Sequence, residues 1–160
     1  MKIERIPIDE YFLKIAAVVA ERSTCRRRKV GAVAVKDKQI LSTGYNGAAR
    51  NMKDCLELGC LRDENNIPSG KMHEICRAIH AEQNVIIQCS LHGVSLEGAT
   101  VYSTHTPCIL CAKMLINAKI KRLVSFKEYT DDSFVELFKS AGIVFEVLKK
   151  PDSRIKFLDE

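Results

Sequence analysis

The stretch from Ala99 to Phe126, ATVYSTHTPCILCAKMLINAKIKRLVSF, decides the fold. Thr100 to Thr104 reads as a strand. Thr106 is placed as an N-cap with Pro107 at the first helical position, opening a helix that runs to Lys119. Arg122 to Phe126 then reads as a second strand. A strand, a helix and a strand in so short a span form the crossover that joins parallel neighbours in a sheet. Downstream, Ser133 to Ala141 is a helix closed by Gly142, and Ile143 to Leu148 a last strand. Upstream, His80 to His92 is helical and ends at Gly93, a residue suited to the left-handed position after a helix. Val30 to Tyr45 reads as a hairpin around Lys36-Asp37-Lys38. Ile8, Tyr11, Phe12, Ile15, Val18 and Val19 follow helical spacing, with Asp9 as the expected N-cap. The pattern predicts an α/β domain: a mixed sheet of about five strands, the later ones parallel, with helices on both faces.

The segment 46–77 interrupts this order. It is polar, holds Pro68 and Gly70, and is rich in cysteine and histidine. A stretch of that length without periodicity inside a compact domain is usually functional.

Composition sets the limits. The 160 residues, 46% hydrophobic and 28% charged, predict one globular domain, 1–160, with the insert at about 46–77. The longest apolar stretch of the first helix, Ile15 to Ala20, is far too short to span a membrane and follows Lys14. A cytoplasmic protein is expected, with no membrane partner. Seven cysteines, an odd number, argue for metal ligation or catalysis rather than a disulfide framework. A formal net charge of +5 suits an anionic small molecule and is too mild to imply nucleic acid.

His80, Cys108 and Cys111 are the sharpest chemical feature. Residues three apart share a face at a helix start, and the positive end of the helix favours thiolates there. Three protein ligands leave one position of a tetrahedral zinc open, as catalytic sites do. Glu82 lies two residues beyond His80, and in a first helical turn both can reach one region. A carboxylate beside such a metal can move protons to and from its water. Cys-x-x-Cys alone also fits a redox pair or half of a structural zinc site, and His-x-Glu alone is weak. The two together, each opening a helix, match the signature of zinc-dependent base deaminases.

The stretches KVGAVAVKDKQILSTGYNG, HAEQNVIIQ and ATVYSTHTPCILCAKMLINAKIKRLV resemble the deoxycytidylate (dCMP) deaminases of the cytidine deaminase superfamily, from about Tyr11 to Leu148. The resemblance implies the three-layer α/β/α cytidine deaminase fold. It implies zinc on His80, Cys108 and Cys111, Glu82 as proton shuttle, and conversion of dCMP to dUMP and ammonia, supplying dUMP for thymidylate synthesis. Asn46 looks like a deoxyribose contact and Tyr129 like a substrate-contacting tyrosine, with a partly buried loop aromatic as the equal alternative for the latter. Cys25, Cys55, His73 and Cys76 resemble a second, structural zinc site present in some members; Cys60 is a spare that could replace any of them, and free buried thiols remain the alternative. The family implies a hexamer, and effectors dCTP and dTTP acting with Mg²⁺.

Other residues are read without the family. Arg26 to Lys29 is either a solvated charged turn or a site for the 5′-phosphate, with Lys29 the favoured contact. Cys89 belongs to the core, and His92 and His105 are structural, His105 with the option of lining the pocket. The alternatives in function are another superfamily substrate (adenosine in tRNA, cytidine, guanine or a riboflavin-pathway pyrimidine) and a non-catalytic zinc-stabilised nucleotide sensor or competence-type DNA-binding module. Glu82 weighs against the last two, because a structural zinc has no use for it.

Overall fold

The computed structural model describes residues 4–152 and 154, so the extreme ends of the expected domain lie outside the described residues. Helix α1 spans Ile8–Ala20, followed by the hairpin β1 (Gly31–Lys36) and β2 (Gln39–Tyr45). The insert is not featureless. It carries a two-residue strand β3 (Gly47–Ala48), the one-turn helices α2 (Cys55–Leu58) and α3 (Leu61–Glu64), and a 3-10 turn at His73–Ile75. It returns through β4 (Ala78–Ile79), which pairs with β3. Then come α4 (Ala81–Leu91), β5 (Thr100–Ser103), α5 (Ile109–Asn117), β6 (Arg122–Ser125), α6 (Phe134–Ala141) and β7 (Val144–Val147).

The main sheet has five strands in the order β2-β1-β5-β6-β7. β1 is antiparallel to both neighbours, while β5, β6 and β7 are parallel, as the crossovers require. Alternate residues of each strand face opposite sides. Val33, Val35, Tyr102 and Val124 meet Phe12, Leu13 and Ala16 of α1. Ala32, Ala34, Val101 and Leu123 meet Val85, Leu115 and Phe138 on the other face, from α4, α5 and α6. The result is the expected three-layer α/β/α sandwich. Asp37 and Lys38 take positive φ at the hairpin turn, matching the sheet's twist.

Two helix starts differ from expectation. Pro7, not Asp9, precedes α1, and the Asp9 carboxylate instead takes two hydrogen bonds from Arg122 at 2.8 Å and one from the Tyr102 hydroxyl at 2.7 Å. A charge-assisted fork across the sheet outcompetes a local cap. Likewise α5 begins at Ile109 with Cys108 as N-cap rather than at Thr106 and Pro107. The Thr106 hydroxyl accepts the Tyr129 N–H at 2.6 Å and its own N–H donates to Lys127 O at 2.9 Å, so the residue stays extended before its proline.

Close backbone approach fixes the site's walls. A Cβ on Gly44 of β2 would lie 2.4 Å from Ala81 O and 2.7 Å from Val85 N, so only glycine lets the first turn of α4 sit against the sheet.

Candidate metal centre and active site

The start of α4 places His80 and Glu82. The Gln83 side-chain oxygen accepts the His80 N–H at 2.8 Å, holding the first turn closed. The start of α5 brings Cys108 and Cys111 to the same point. His80 Nδ1 lies 3.4 Å from Cys108 Sγ and 3.3 Å from Cys111 Sγ. Among the described residues these three form the one group of potential metal ligands with all donor atoms within 4.8 Å of one another. Zinc–sulfur and zinc–nitrogen bonds of about 2.3 and 2.0–2.1 Å at tetrahedral angles require nitrogen–sulfur separations of roughly 3.6 Å. The donors therefore fit zinc after shifts of a few tenths of an ångström. Hydrogen bonding from Cys111 and His80 holds the Cys108 thiol well below its ordinary range, toward the thiolate a metal takes.

Glu82 is buried beside this group, and burial raises its pKa above the ordinary carboxylate range. Ser103, at the end of β5 and fully buried, donates its hydroxyl to Glu82 Oε1 at 3.3 Å. Sequence reasoning missed Ser103; nothing in its local pattern distinguishes it from a core strand residue.

A cleft of about 620 Å³, open to solvent, leads away from the metal group. Its wall includes Asn46, His73, Tyr129, His105 and Arg28. Asn46 is buried, and its amide is committed to the fold: Oδ1 accepts from Ser23 Oγ at 2.5 Å and Val30 N at 2.9 Å, and Nδ2 donates to Arg28 O at 2.8 Å. Tyr129 carries the Arg28 guanidinium over its ring at 4.6 Å. Lys29 is exposed and does not line the cleft; Arg28 and Arg27 do. Arg27 is held by Asp63 and by Ile67 O, both at 2.6 Å, while Arg28 and the buried Arg62, whose Nε has no hydrogen-bond partner, line the cleft as well.

The four residues of the expected second site do not gather as a set. His73 packs edge-on against His80, with ring centroids 4.9 Å apart, and lies 6.2 Å from Tyr129. Both its ring nitrogens are buried without a hydrogen-bond partner. Cys25, Cys55, Cys60 and Cys76 are near enough to influence one another, but no three of them bring their sulfurs within 4.8 Å of one another. Burial, and then the nearby thiols of Cys25, Cys60 and Cys76, push Cys55 up to about 11. Cys89 is buried and donates to Ser42 Oγ at 3.2 Å, a core role. His92 is exposed at the end of α4.

A His–Cys–Cys centre with a buried glutamate beside it, on a three-layer sheet, is the arrangement of zinc-dependent base deaminases. The family model of the cytidine and deoxycytidylate deaminase zinc-binding region matches residues 7–127, and the chain belongs to that family. It is 40% identical to ComE operon protein 2 of Bacillus subtilis, over 90% of this chain and 72% of that one. It is 41% identical to the deoxycytidylate deaminase of Mycobacterium phage D29, over 75% of this chain and 94% of that one. Other curated relatives are longer, the chain spanning less than half of two of them. The dCMP deaminase of cyanophage S-TIM5, crystallised with dCMP and dUMP, superposes with a TM-score of 0.74 at 26% identity, over 91% of this chain and all of that one. No described helix is long and apolar enough to cross a membrane.

Proposed function

We infer that the chain hydrolyses dCMP to dUMP and ammonia, using zinc on His80, Cys108 and Cys111. The observation that carries this reading is the buried Glu82 beside the three ligand atoms, in a solvent-open cleft that Arg28 also lines. The phage deoxycytidylate deaminase supports the substrate. Zinc held by His80, Cys108 and Cys111 would supply a Lewis acid that makes water nucleophilic near neutral pH. Glu82 takes a proton from the attacking water as the water oxygen bonds to C4, and passes that proton to N3. Its raised pKa keeps it basic enough to hold the proton and acidic enough to release it. It then carries the second proton of the added oxygen to the amino group; the C4–N bond breaks, ammonia leaves and dUMP remains. Ser103 holds Oε1, leaving Oε2 for the transfers. Arg28, rather than Lys29, stands where the 5′-phosphate would be met, with Tyr129 beneath it. Asn46 shapes this wall through the Arg28 carbonyl.

A second, structural zinc on Cys25, Cys55, Cys60 and Cys76 is supported by the mutual influence of these thiols at the base of the insert, with Cys60 in the place first given to His73. A homo-oligomer, a hexamer by resemblance, is supported by exposed Tyr45, Ile87 and Leu91 along a second cleft between β2 and α4. That cleft also gives room for dCTP or dTTP with Mg²⁺, effectors that rest on the resemblance. A cytoplasmic setting agrees with the free thiols.

The test is the ultraviolet change from cytosine to uracil when zinc-loaded protein meets dCMP, with and without dCTP and Mg²⁺. Turnover that disappears in Glu82→Gln is expected. Zinc-loaded protein that leaves dCMP unchanged in both conditions would sink the reading.

A further inference from the structure

His105 has no part in the reaction described above, yet it lines the cleft three residues before Cys108. Its ring is fixed by a short relay. Thr104 Oγ1 accepts the Gly31 N–H at 3.2 Å and lies 2.9 Å from His105 Nδ1. With Oγ1 already accepting from Gly31, we assign the Thr104 hydroxyl as the donor to Nδ1. A neutral imidazole that accepts at Nδ1 carries its proton at Nε2. Nε2–H has no partner among the described residues, so a donor is left over on a residue that faces the cleft.

The surroundings decide what that donor would meet. Burial first, then the positive charges of Lys127 and Arg28, press the His105 pKa down to about 4. A ring flanked by two cations is a poor place for a third positive charge and a good place for an anion. Arg28 is itself anchored, its guanidinium donating to Ser69 Oγ at 2.8 Å and lying over Tyr129. The chain of contacts from His80 to His73, from His73 to Tyr129 and from Tyr129 to Arg28 sets the cationic end two rings away from the metal ligands. In a nucleotide the sugar separates base from phosphate in the same sense.

We propose that His105 is a phosphate-binding residue, giving its Nε2–H to the 5′-phosphate of the nucleotide beside the Arg28 guanidinium. This rests on the dCMP reading, and it assigns the preference for a nucleotide over a nucleoside to a residue next to the metal helix. A neutral donor adds direction without adding charge: it fixes one phosphate oxygen, while Arg28 supplies the long-range attraction.

The experiment measures inhibition of dCMP turnover by dUMP and by deoxyuridine, the same molecule without phosphate, in wild type, His105→Ala and His105→Gln, with zinc content determined for each. Hydrogen bonds to charged groups correspond to roughly a ten- to hundredfold change in affinity. His105→Ala should raise the dUMP inhibition constant and the KM for dCMP by that factor, leave the deoxyuridine constant unchanged and keep its zinc. His105→Gln, which retains a neutral N–H donor, should recover part of the loss, and it carries the test alone if the alanine variant does not fold. The proposal is overturned if both inhibitors weaken together, if neither does, or if zinc is lost. Wild-type protein that is zinc-loaded but inert toward dCMP would instead overturn the reading on which the proposal rests.

Discussion

Two sulfur-bearing groups of residues in this protein differ in how tightly the fold gathers them. His80, Cys108 and Cys111 sit at the starts of α4 and α5, helices packed on the sheet and buried against the main core. Their donor atoms already stand within 4.8 Å of one another. Cys25, Cys55, Cys60 and Cys76 sit on the loop before β1 and on an insert of one-turn helices, and influence one another without forming so tight a set. A catalytic metal must find its ligands arranged in advance, because misplacement costs rate. A structural metal can draw its ligands together, and its binding energy then becomes folding energy.

The comparison is broken most severely by removing metal. Exhaustive chelation should abolish turnover while α4, α5 and the sheet persist, as followed by far-ultraviolet circular dichroism. The insert should lose protection from protease in the same sample. Zinc added back should restore both. Insert cleavage unaffected by chelation would remove the case for a metal there.

Glu82→Gln separates chemistry from architecture within the tighter group. A positioned proton shuttle contributes about 10²- to 10⁴-fold, so kcat should fall by that factor with zinc content unchanged. Stability should move the other way. Burial raises the folded-state pKa of Glu82 above its unfolded value, so its contribution is greatest below the unfolded value and is lost as pH rises through the folded one. At pH 7 the ionised carboxylate therefore costs stability in metal-free protein, and the amide should raise Tm. A lower Tm would show that the carboxylate is compensated by contacts other than Ser103.

The looser group is sharpened by two variants. Cys60→Ser should lower zinc from two equivalents per chain to one and reduce Tm, whereas His73→Ala should keep both equivalents. The reverse result would restore His73 as the fourth ligand and Cys60 as the spare.

How much of this was legible in the sequence follows from the range of the forces involved. The order of strands and helices was readable because burial imprints a period on each: Ala32 and Ala34 face one layer, Val33 and Val35 the other. His80, Glu82, Cys108 and Cys111 were readable because each pair lies within one helical turn, where spacing fixes geometry. Contacts made across the fold were not. Ser103 reaches Glu82 from another element, and Asp9 is taken from its cap position by Arg122. The insert's shape depends on Arg27 binding Asp63 and Ile67 O, partners that no local pattern announces. His73 lines the cleft together with Cys25 and Cys76, a grouping not legible for the same reason: in a segment without periodicity, residue type names a possible ligand and only three-dimensional packing says what it lies beside.

The smallest effect tests whether both groups are independent of the frame that carries them. Asp9, Tyr102, Arg122 and Glu146 tie α1 to β5, β6 and β7, with Glu146 also paired to Arg122. The hydrogen bond from Arg122, against some burial, holds the Asp9 carboxyl below its ordinary 3.8. A carboxylate depressed in the folded state stabilises above its unfolded pKa, and that contribution is lost as pH falls through the folded value. The contribution is therefore complete at neutral pH and drains away below about 4. With Asp9 and Arg122 side chains each about one-quarter exposed, solvent screening limits it to about 1 kcal/mol. Asp9→Asn should cost that much in urea unfolding at pH 7 and progressively less as pH falls below about 4, while zinc content and kcat stay at the wild-type values. A fall in kcat at pH 7 would mean that α1 helps to hold the helix starts in place, and that the catalytic group's arrangement belongs to the whole sandwich rather than to α4 and α5.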